Sequence, residues 1–366
     1  MDSTNQVISI IRNHPTVDHG INYITTILNR MSNMALTMFQ QRNNQIKMKS
    51  SGYSDDLINW MGNLPNSIRE SIPIINLAIP GTHDSGTYSI NADSKLAPDA
   101  ADFIRQIYAF SPWVLHRWVK TQKYTFKEQL QNGIRYFDLR ISTRIDDDKF
   151  YFVHGVYCDE VTRPFEEIRD FLKDHPKEFV IFDCQHFYDF EAYHHQKFSE
   201  LLIQLFGTRI YERILYEEEF PDLTLNKALN LHKQLVVIYR NDNINKSFFT
   251  TDHFITPWPN VTDVKKMERS LDISIMSRTP YQGHVTQLLL TPTYRFIIAR
   301  IYSSLKIKCA EEVVDNCKEY IESRKPGPFK DYEARRSNVF IADFVDLEDN
   351  YFPKAIIDLN MKLLNP

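Results

Sequence analysis

No stretch of this 366-residue sequence stays apolar for long. The first apolar run, Val7 to Ile11, stops at Arg12 and is too short for the core of a signal peptide. No later stretch reaches the roughly 18 uninterrupted apolar residues of a membrane-crossing helix. The expectation is a cytoplasmic protein that meets membranes only peripherally. Cysteine is scarce as well. The 4 thiols, Cys158, Cys184, Cys309 and Cys317, lack metal-ligand spacing, and a chain of this length folds without disulfides, so reduced thiols are expected. An excess of one charge is also missing, because 43 basic against 47 acidic residues leave a net −4. The chain therefore has no electrostatic reason to seek nucleic acid, and a lipid partner must be met through a local site. A 43% hydrophobic and 25% charged composition excludes disordered, fibrous and repeat classes.

Two regions differ in texture. Residues 1–55 are rich in Asn, Gln, Ser and Met and end in the linker-like KMKSSGYSDD. Within them Ile21, Ile24, Leu28, Met31, Met34 and Met38 recur at helical spacing, which predicts one amphipathic helix in a partly flexible N-terminal extension. Residues 56–366 read as one catalytic-size domain. Strands are predicted at 72–79, 133–141, 150–155, 178–185, 234–240, 284–290 and 338–345, with helical segments between them. FKEQLQNG closes on Gly133 as a helix C-terminus does, and RPFEEIRDFLKDHP runs from Pro164 to a stop before Pro176. Strands alternating with helices predict an α/β fold, a TIM-type (β/α) barrel, with a doubly wound open sheet as the alternative.

Polar residues cluster at the predicted strand ends. His83 follows the first strand, Asp138 and Arg140 end the second, and His154 ends the third. Gln185, Arg240 and Asp343 end the fourth, fifth and last. In a barrel such ends converge on one mouth, so residues far apart in sequence can meet there. In PGTHDSG a sharp Pro80-Gly81 turn is expected to display His83, with Asp84 and Ser85 as hydrogen-bonding neighbours. Taken alone, this is equally a turn histidine held by Asp84. His154, in YFVHGVY, makes a pair possible: one neutral imidazole accepts a proton while the other, charged, donates one. Between them Tyr136, Asp138 and Arg140 share one strand face, and a guanidinium fork suits a phosphate. A structural Asp138–Arg140 ion pair is the plainer alternative.

Weaker clusters surround these. His194 and His195 are adjacent, so they do not share a helical face and make a poor metal site. DDDK at 146–149 reads as a solvated hairpin-like turn. Trp258, in TPWPN, is placed on a loop, packing on the rim or touching lipid.

The segments IPGTHDSGTY, NGIRYFDLRI, FVHG, FVIFDCQHFY, LLLTPT and NVFIADFV occur in this order between Ile72 and Asp349. Together they resemble the phosphatidylinositol-specific phospholipase C X-domain-containing proteins. The resemblance implies a distorted or incomplete barrel of phospholipase-C-like phosphodiesterase type. It also implies a phosphoric diester hydrolase of lipid metabolism that cleaves phosphatidylinositol-type phospholipids to diacylglycerol and a cyclic inositol phosphate at a transient membrane surface. By match to the bacterial enzymes, His83 is the base for the inositol 2-hydroxyl and His154 the acid for the leaving oxygen. Asp84 assists the acid, and Asp343 orients and charge-stabilises His83.

In the calcium-dependent eukaryotic relatives the second strand ends in two acidic residues, and a glutamate follows strand four. Here Arg140 and Gln185 stand at those places, which implies a site without Ca²⁺ or any other cofactor. Arg240 matches an arginine that contacts inositol hydroxyls, with an ordinary surface cation as its alternative, and Asp138 and Gln185 fall on the substrate side. A lysine carried by the bacterial enzymes after strand four is replaced by Gln185 and His186, a departure that bears on the headgroup. The alternative function is a barrel of weak or absent turnover that binds phosphoinositides or a protein. A metal-dependent glycerophosphodiesterase is a third reading, to which Arg140 is a poor host.

Overall fold

The computed structural model describes residues 53–241 and 245–364. The amphipathic helix predicted near the N-terminus lies outside the described residues. The first described turn, Tyr53–Asp55, is fastened to the body, because Ser54 donates through its N–H (3.2 Å) and Oγ (2.9 Å) to the carboxylate of Asp358. Among the described residues no helix is long and apolar enough to cross a membrane.

Among the described residues nine strands form one sheet: β1 (Ile79–Thr82), β2 (Tyr136–Arg144), β3 (Asp147–Val153), β4 (Tyr157–Glu160), β5 (Val180–Tyr188), β6 (Leu235–Tyr239), β7 (Phe254–Ile255), β8 (Gly283–Leu288) and β9 (Val339–Ala342). Seven of them run parallel in the order β6-β5-β2-β1-β9-β8-β7. First and last strands are thus neighbours, as in a barrel, but β6 and β7 do not pair, and the barrel stays open there. Alternation along the strands sorts side chains into two cores. Ile79, Tyr136, Ile181, Val236, Val285 and Val339 share the inner one. Ala78, Phe137, Phe182, Val237, Leu288 and Phe340 share the outer one with the surrounding helices.

The helices that matter for the site are α1 (Asp102–Phe110), α2 (Pro112–Val119), α3 (Phe126–Gln131), α4 (Thr162–Asp174) and α5 (Ala192–Phe206). Helix α3 starts on a reciprocal cap between Thr125 and Glu128. Helix α4 buries Phe165, Ile168 and Leu172, spaced on one face, and each such side chain contributes roughly 1.5–3 kcal/mol of burial.

Two expectations about the strands need correction. The first strand does not run over 72–79 and break at Pro80-Gly81; it begins at Ile79 and contains both residues. Before Ile79, side chains satisfy the backbone: Asn338 Nδ2 donates to the carbonyls of Ile74 and Leu77, and Asn360 Oδ1 accepts from Ala78 N–H. Gly81 is required by close approach, since a Cβ there would lie 2.8 Å from the Tyr136 carbonyl oxygen. The turn comes later, at Asp84, with φ +43°.

The third strand, expected to be parallel, is antiparallel to β2, and β4 is antiparallel to β3. Only Ile145 and Asp146 link Arg144 to Asp147, far fewer than the dozen or so residues of a parallel crossover. Strands β4 and β7 were not anticipated.

Candidate active site

Continuing the inward alternation toward the C-terminal strand ends brings His83, Asp138, Arg140, Asp183, Arg240, Gln287 and Asp343 into the barrel mouth. His154 arrives differently, on the returning arm of the β2–β3 hairpin. The two imidazoles stand 6.0 Å apart, centre to centre, nearly perpendicular.

His83 is buried. Its Nδ1 lies 2.8 Å from Asp343 Oδ1. Its Nε2 faces two opposed groups, the Asp84 carboxylate at 3.2 Å and Nη2 of Arg140 at 3.1 Å. Burial alone would push its pKa down, but the carboxylates of Asp84 and Asp343 outweigh burial and hold it at about 9.

The backbone around His83 is stitched from the loop after α2. Gln122 Nε2 donates to the carbonyls of His83 and Ala342, both at 2.9 Å, and Thr121 Oγ1 donates to the His83 carbonyl at 3.1 Å. These bonds tie the end of β1 to the end of β9 and so fix His83 against Asp343. Thr82 and Ser85 are structural: their hydroxyls bond each other, and Thr82 also bonds Gln129 of α3.

Asp84 is the hub. Its Oδ2 is 3.2 Å from Nε2 of both histidines, and its Oδ1 is 2.5 Å from Nε of Arg140. Burial opposes its charge, yet Arg140, His154 and His83 together hold its pKa below the usual carboxylate range. His154 is held on the other side by a backbone group, since its Nδ1 lies 2.7 Å from the Val119 carbonyl at the end of α2. Nδ1 must then carry a proton and donate it, which leaves Nε2 toward Asp84.

Asp138 sits beside Arg140 (3.8 Å) and accepts from Asp84 N–H (3.3 Å), while its Oδ1 is buried without a hydrogen bond. Burial lifts its pKa to about 6, against the pull of Arg140. Arg240 stands apart. Its fork grips Asp183 at 2.7 and 2.8 Å and donates to the Phe254 carbonyl at 3.0 Å, while Tyr136 OH donates to the same carboxylate at 2.6 Å. Arg240 does not line the cavity above.

That cavity measures about 520 Å³. Its lining joins the charged and imidazole side chains of His83, Asp138, Arg140, His154 and Asp343 to the apolar side chains of Phe103, Ile104, Leu115, Trp118 and Ile297. A register shift between β2 and β5 lets both Gln185 and His186 reach the cavity. Trp258 lines it too, half exposed, its indole N–H bonded to Thr291 Oγ1 at 3.0 Å.

His83, Asp84 and Asp138 offer donor atoms within 4.8 Å of one another, a spacing a metal ion needs. The Arg140 guanidinium already lies among them, at 3.1, 2.5 and 3.8 Å, so a divalent cation would have to displace a fixed positive charge. The arrangement fits a metal poorly. His194 and His195 hold different partners, the Glu191 N–H and the Tyr239 hydroxyl, and do not form a site together.

Sequence reasoning missed Val119, Thr121, Gln122 and Asp99, all in the stretch between β1 and β2. The Thr-Gln pair just after an amphipathic helix was the one available signal, and a carbonyl acceptor leaves none.

No protein-family model matches the chain. Among curated proteins it is 34% identical over 310 residues to PI-PLC X domain-containing protein 3 of Mus musculus, covering 82% of this chain and 92% of that one. The same protein of Homo sapiens is 33% identical over 313 residues (83% and 94%). PI-PLC X domain-containing protein 2 of Mus musculus is 31% identical over 313 residues (82% and 87%). Among solved structures, a mutant phosphatidylinositol-specific phospholipase C from Staphylococcus aureus superposes with TM-score 0.57 at 16% identity, over 85% of this chain and 98% of that one. The Listeria monocytogenes enzyme gives 0.52 at 21%, over 83% and 99%. The chain belongs to the PI-PLC X domain-containing proteins and has the fold of the bacterial phosphatidylinositol-specific phospholipases C.

Proposed function

We propose that the protein cleaves phosphatidylinositol-type lipids by acid–base catalysis without a metal. The observation that carries this reading is the shared carboxylate: Asp84 lies 3.2 Å from Nε2 of both histidines, with Arg140 on its other oxygen. His83, held at Nδ1 by Asp343, takes the proton of the inositol 2-hydroxyl as that oxygen attacks phosphorus. Arg140 carries the charge that builds on the phosphoryl oxygens. His154, with Nδ1 on a carbonyl, gives the Nε2 proton to the departing glycerol oxygen. Diacylglycerol leaves along the apolar side chains of the cavity, and a 1,2-cyclic inositol phosphate remains.

A lipid surface as the partner is supported by exposed aromatics on and beside the helices that line the cavity. Phe110 ends α1, Trp113 lies in α2 and Trp258 lines the cavity itself; these and Tyr302 are more than half exposed, and Arg117 of α2 joins two of them, stacking on Trp113 and donating to the Tyr302 carbonyl.

One observation favours a second reading, a lipid-binding barrel of slow turnover: the carboxylates of Asp84 and Asp343 hold His83 at about 9, so the ring is mostly protonated at neutral pH. Phosphatidylinositol vesicles incubated with the protein, with EDTA or with Ca²⁺, separate the readings. Release of cyclic inositol phosphate that ignores EDTA is the expected result. Activity lost with EDTA and restored by Ca²⁺ would sink the metal-free mechanism, and tight vesicle binding without product at any pH would favour the binding module.

A further inference from the structure

We propose that Asp99 is a positioning residue for the acid step, a second carboxylate that acts through His154. The inference rests on the reading of His154 as the general acid. Asp99 lies just before α1, in a segment that straps the His154–Gly155 turn. Ala97 N–H donates to the Gly155 carbonyl (3.1 Å), Tyr157 N–H donates to the Lys95 carbonyl (2.8 Å), and Leu96 bridges Val156. Asp99 Oδ2 accepts from Gly155 N–H at 2.7 Å, and Gly155 itself stands at φ +71°, a left-handed conformation that suits glycine. The other oxygen, Oδ1, is buried without a hydrogen bond, and Asp99 lines the same cavity as His154.

A buried carboxylate with one backbone donor is poorly compensated. Burial raises the Asp99 pKa, and the Gly155 N–H and the charge of His154 are what oppose that rise, with Arg140 a smaller help and Asp84 working against it. Tyr157, Cys158 and Tyr188 face the same carboxyl and gain nothing from its charge. Asp84 divides its two oxygens among His83, Arg140 and His154, whereas Asp99 serves the turn of His154. Its charge therefore supports the imidazolium before the proton leaves Nε2 for the glycerol oxygen, and Asp99 itself neither gains nor loses a proton in that step.

A purely structural pin is the competing account, and leaving-group dependence separates the two. Asp99→Asn keeps a carbonyl oxygen for the Gly155 N–H and removes the charge. Phosphatidylinositol expels an alkoxide that needs an acid; a p-nitrophenyl inositol phosphate expels a phenolate that hardly does. Asp99→Asn is expected to lose about 10-fold in kcat on the lipid and little on the aryl ester, a fraction of the roughly 10²–10⁴ that a general acid contributes. His154→Ala should show the same split on a larger scale, and Asp99→Glu should restore the lipid-to-aryl ratio even if it folds less stably. Equal losses on both substrates, or none on either, overturn the role of Asp99. Equal losses for His154→Ala, or a wild-type protein inert on both substrates, overturn the acid assignment instead.

Discussion

The two histidines share one carboxylate and differ in everything else. His83 is held at Nδ1 by the Asp343 carboxylate, on the parallel body of the barrel, and its Nε2 faces both an acceptor and a donor. His154 is held at Nδ1 by a backbone carbonyl, on a hairpin arm, and its Nε2 faces an acceptor alone. A carboxylate behind an imidazole stabilises the charge it acquires on taking a proton, so that partner suits a base. A carbonyl fixes which nitrogen carries hydrogen without adding a full charge, which leaves the other nitrogen to donate. In the proposed mechanism the role of each ring follows from the partner of its far nitrogen, not from the motif around the histidine.

The sharpest way to break this contrast is to remove each ring in turn. Under the proposed mechanism His83→Ala should cost roughly 10³–10⁴ in kcat/KM whatever the leaving group, because the attacking hydroxyl would still have to lose its proton. A variant that retains a tenth of wild-type activity on phosphatidylinositol would end its assignment as the base. Next in size is Arg140→Lys, which keeps the charge but loses the fork and should cost about 10²–10³ in kcat, with added Ca²⁺ failing to rescue it. Recovery by Ca²⁺ would show that the donors around Arg140 accept a metal after all.

A smaller effect sharpens the comparison through pH. The proposed mechanism needs His83 neutral and His154 protonated, so kcat/KM of the free enzyme should be bell-shaped in pH with the limb set by His83 at about 9, and Asp343→Asn should move that limb to lower pH by removing one of the charges that hold the proton. An unmoved limb would detach Asp343 from the base. The same shift has a sign in stability. The folded value of about 9 lies above the unfolded 6.5, so the stabilisation is complete below pH 6.5 and is lost as pH rises through 9. Denaturant midpoints measured between pH 6 and pH 10 should therefore fall, and should fall less for Asp343→Asn. The smallest effect on chemistry is expected at Arg240, whose fork is spent on Asp183. Arg240→Ala should lower stability by about 3 kcal/mol, as breaking a buried pair does, while kcat on a soluble substrate changes less than a few-fold.

Much of this arrangement was legible in the sequence, for a physical reason. Side chains alternate along strands, so residues two apart, such as Asp138 and Arg140, had to share a face, and parallel strand ends had to meet. His83, Asp138, Arg140 and Asp343 follow from that rule alone. The antiparallel path of β3 was legible in part, in the hairpin-like turn read at DDDK (146–149), but the apolar run of FYFVHG carries no direction and the barrel reading made it a parallel strand; the turn itself is Ile145-Asp146, and Asp147 already opens β3. What composition and period do not encode is backbone geometry. Pro80-Gly81 reads as a turn and is a strand, because Gly81 answers to the approach of Tyr136 from another strand. Arg240 reads as an inositol contact or a surface cation, because its partner Asp183 lies 57 residues away, on the neighbouring strand. Thr121, Gln122 and Asp99 carry no periodicity of their own, and they matter only through the carbonyls and amides they reach.

The bond from His154 to the Val119 carbonyl has a consequence for inheritance. A backbone oxygen is present whatever side chain occupies position 119, so drift at that codon leaves the contact untouched, and no point substitution there deletes it. The contact is exposed instead to displacement. A slide of α2 by about an ångström would carry a 2.7 Å bond beyond hydrogen-bonding range and silence the proposed acid with every residue still in place. The helix pair between the first two strands is, in that sense, an adjustable mount for one proton.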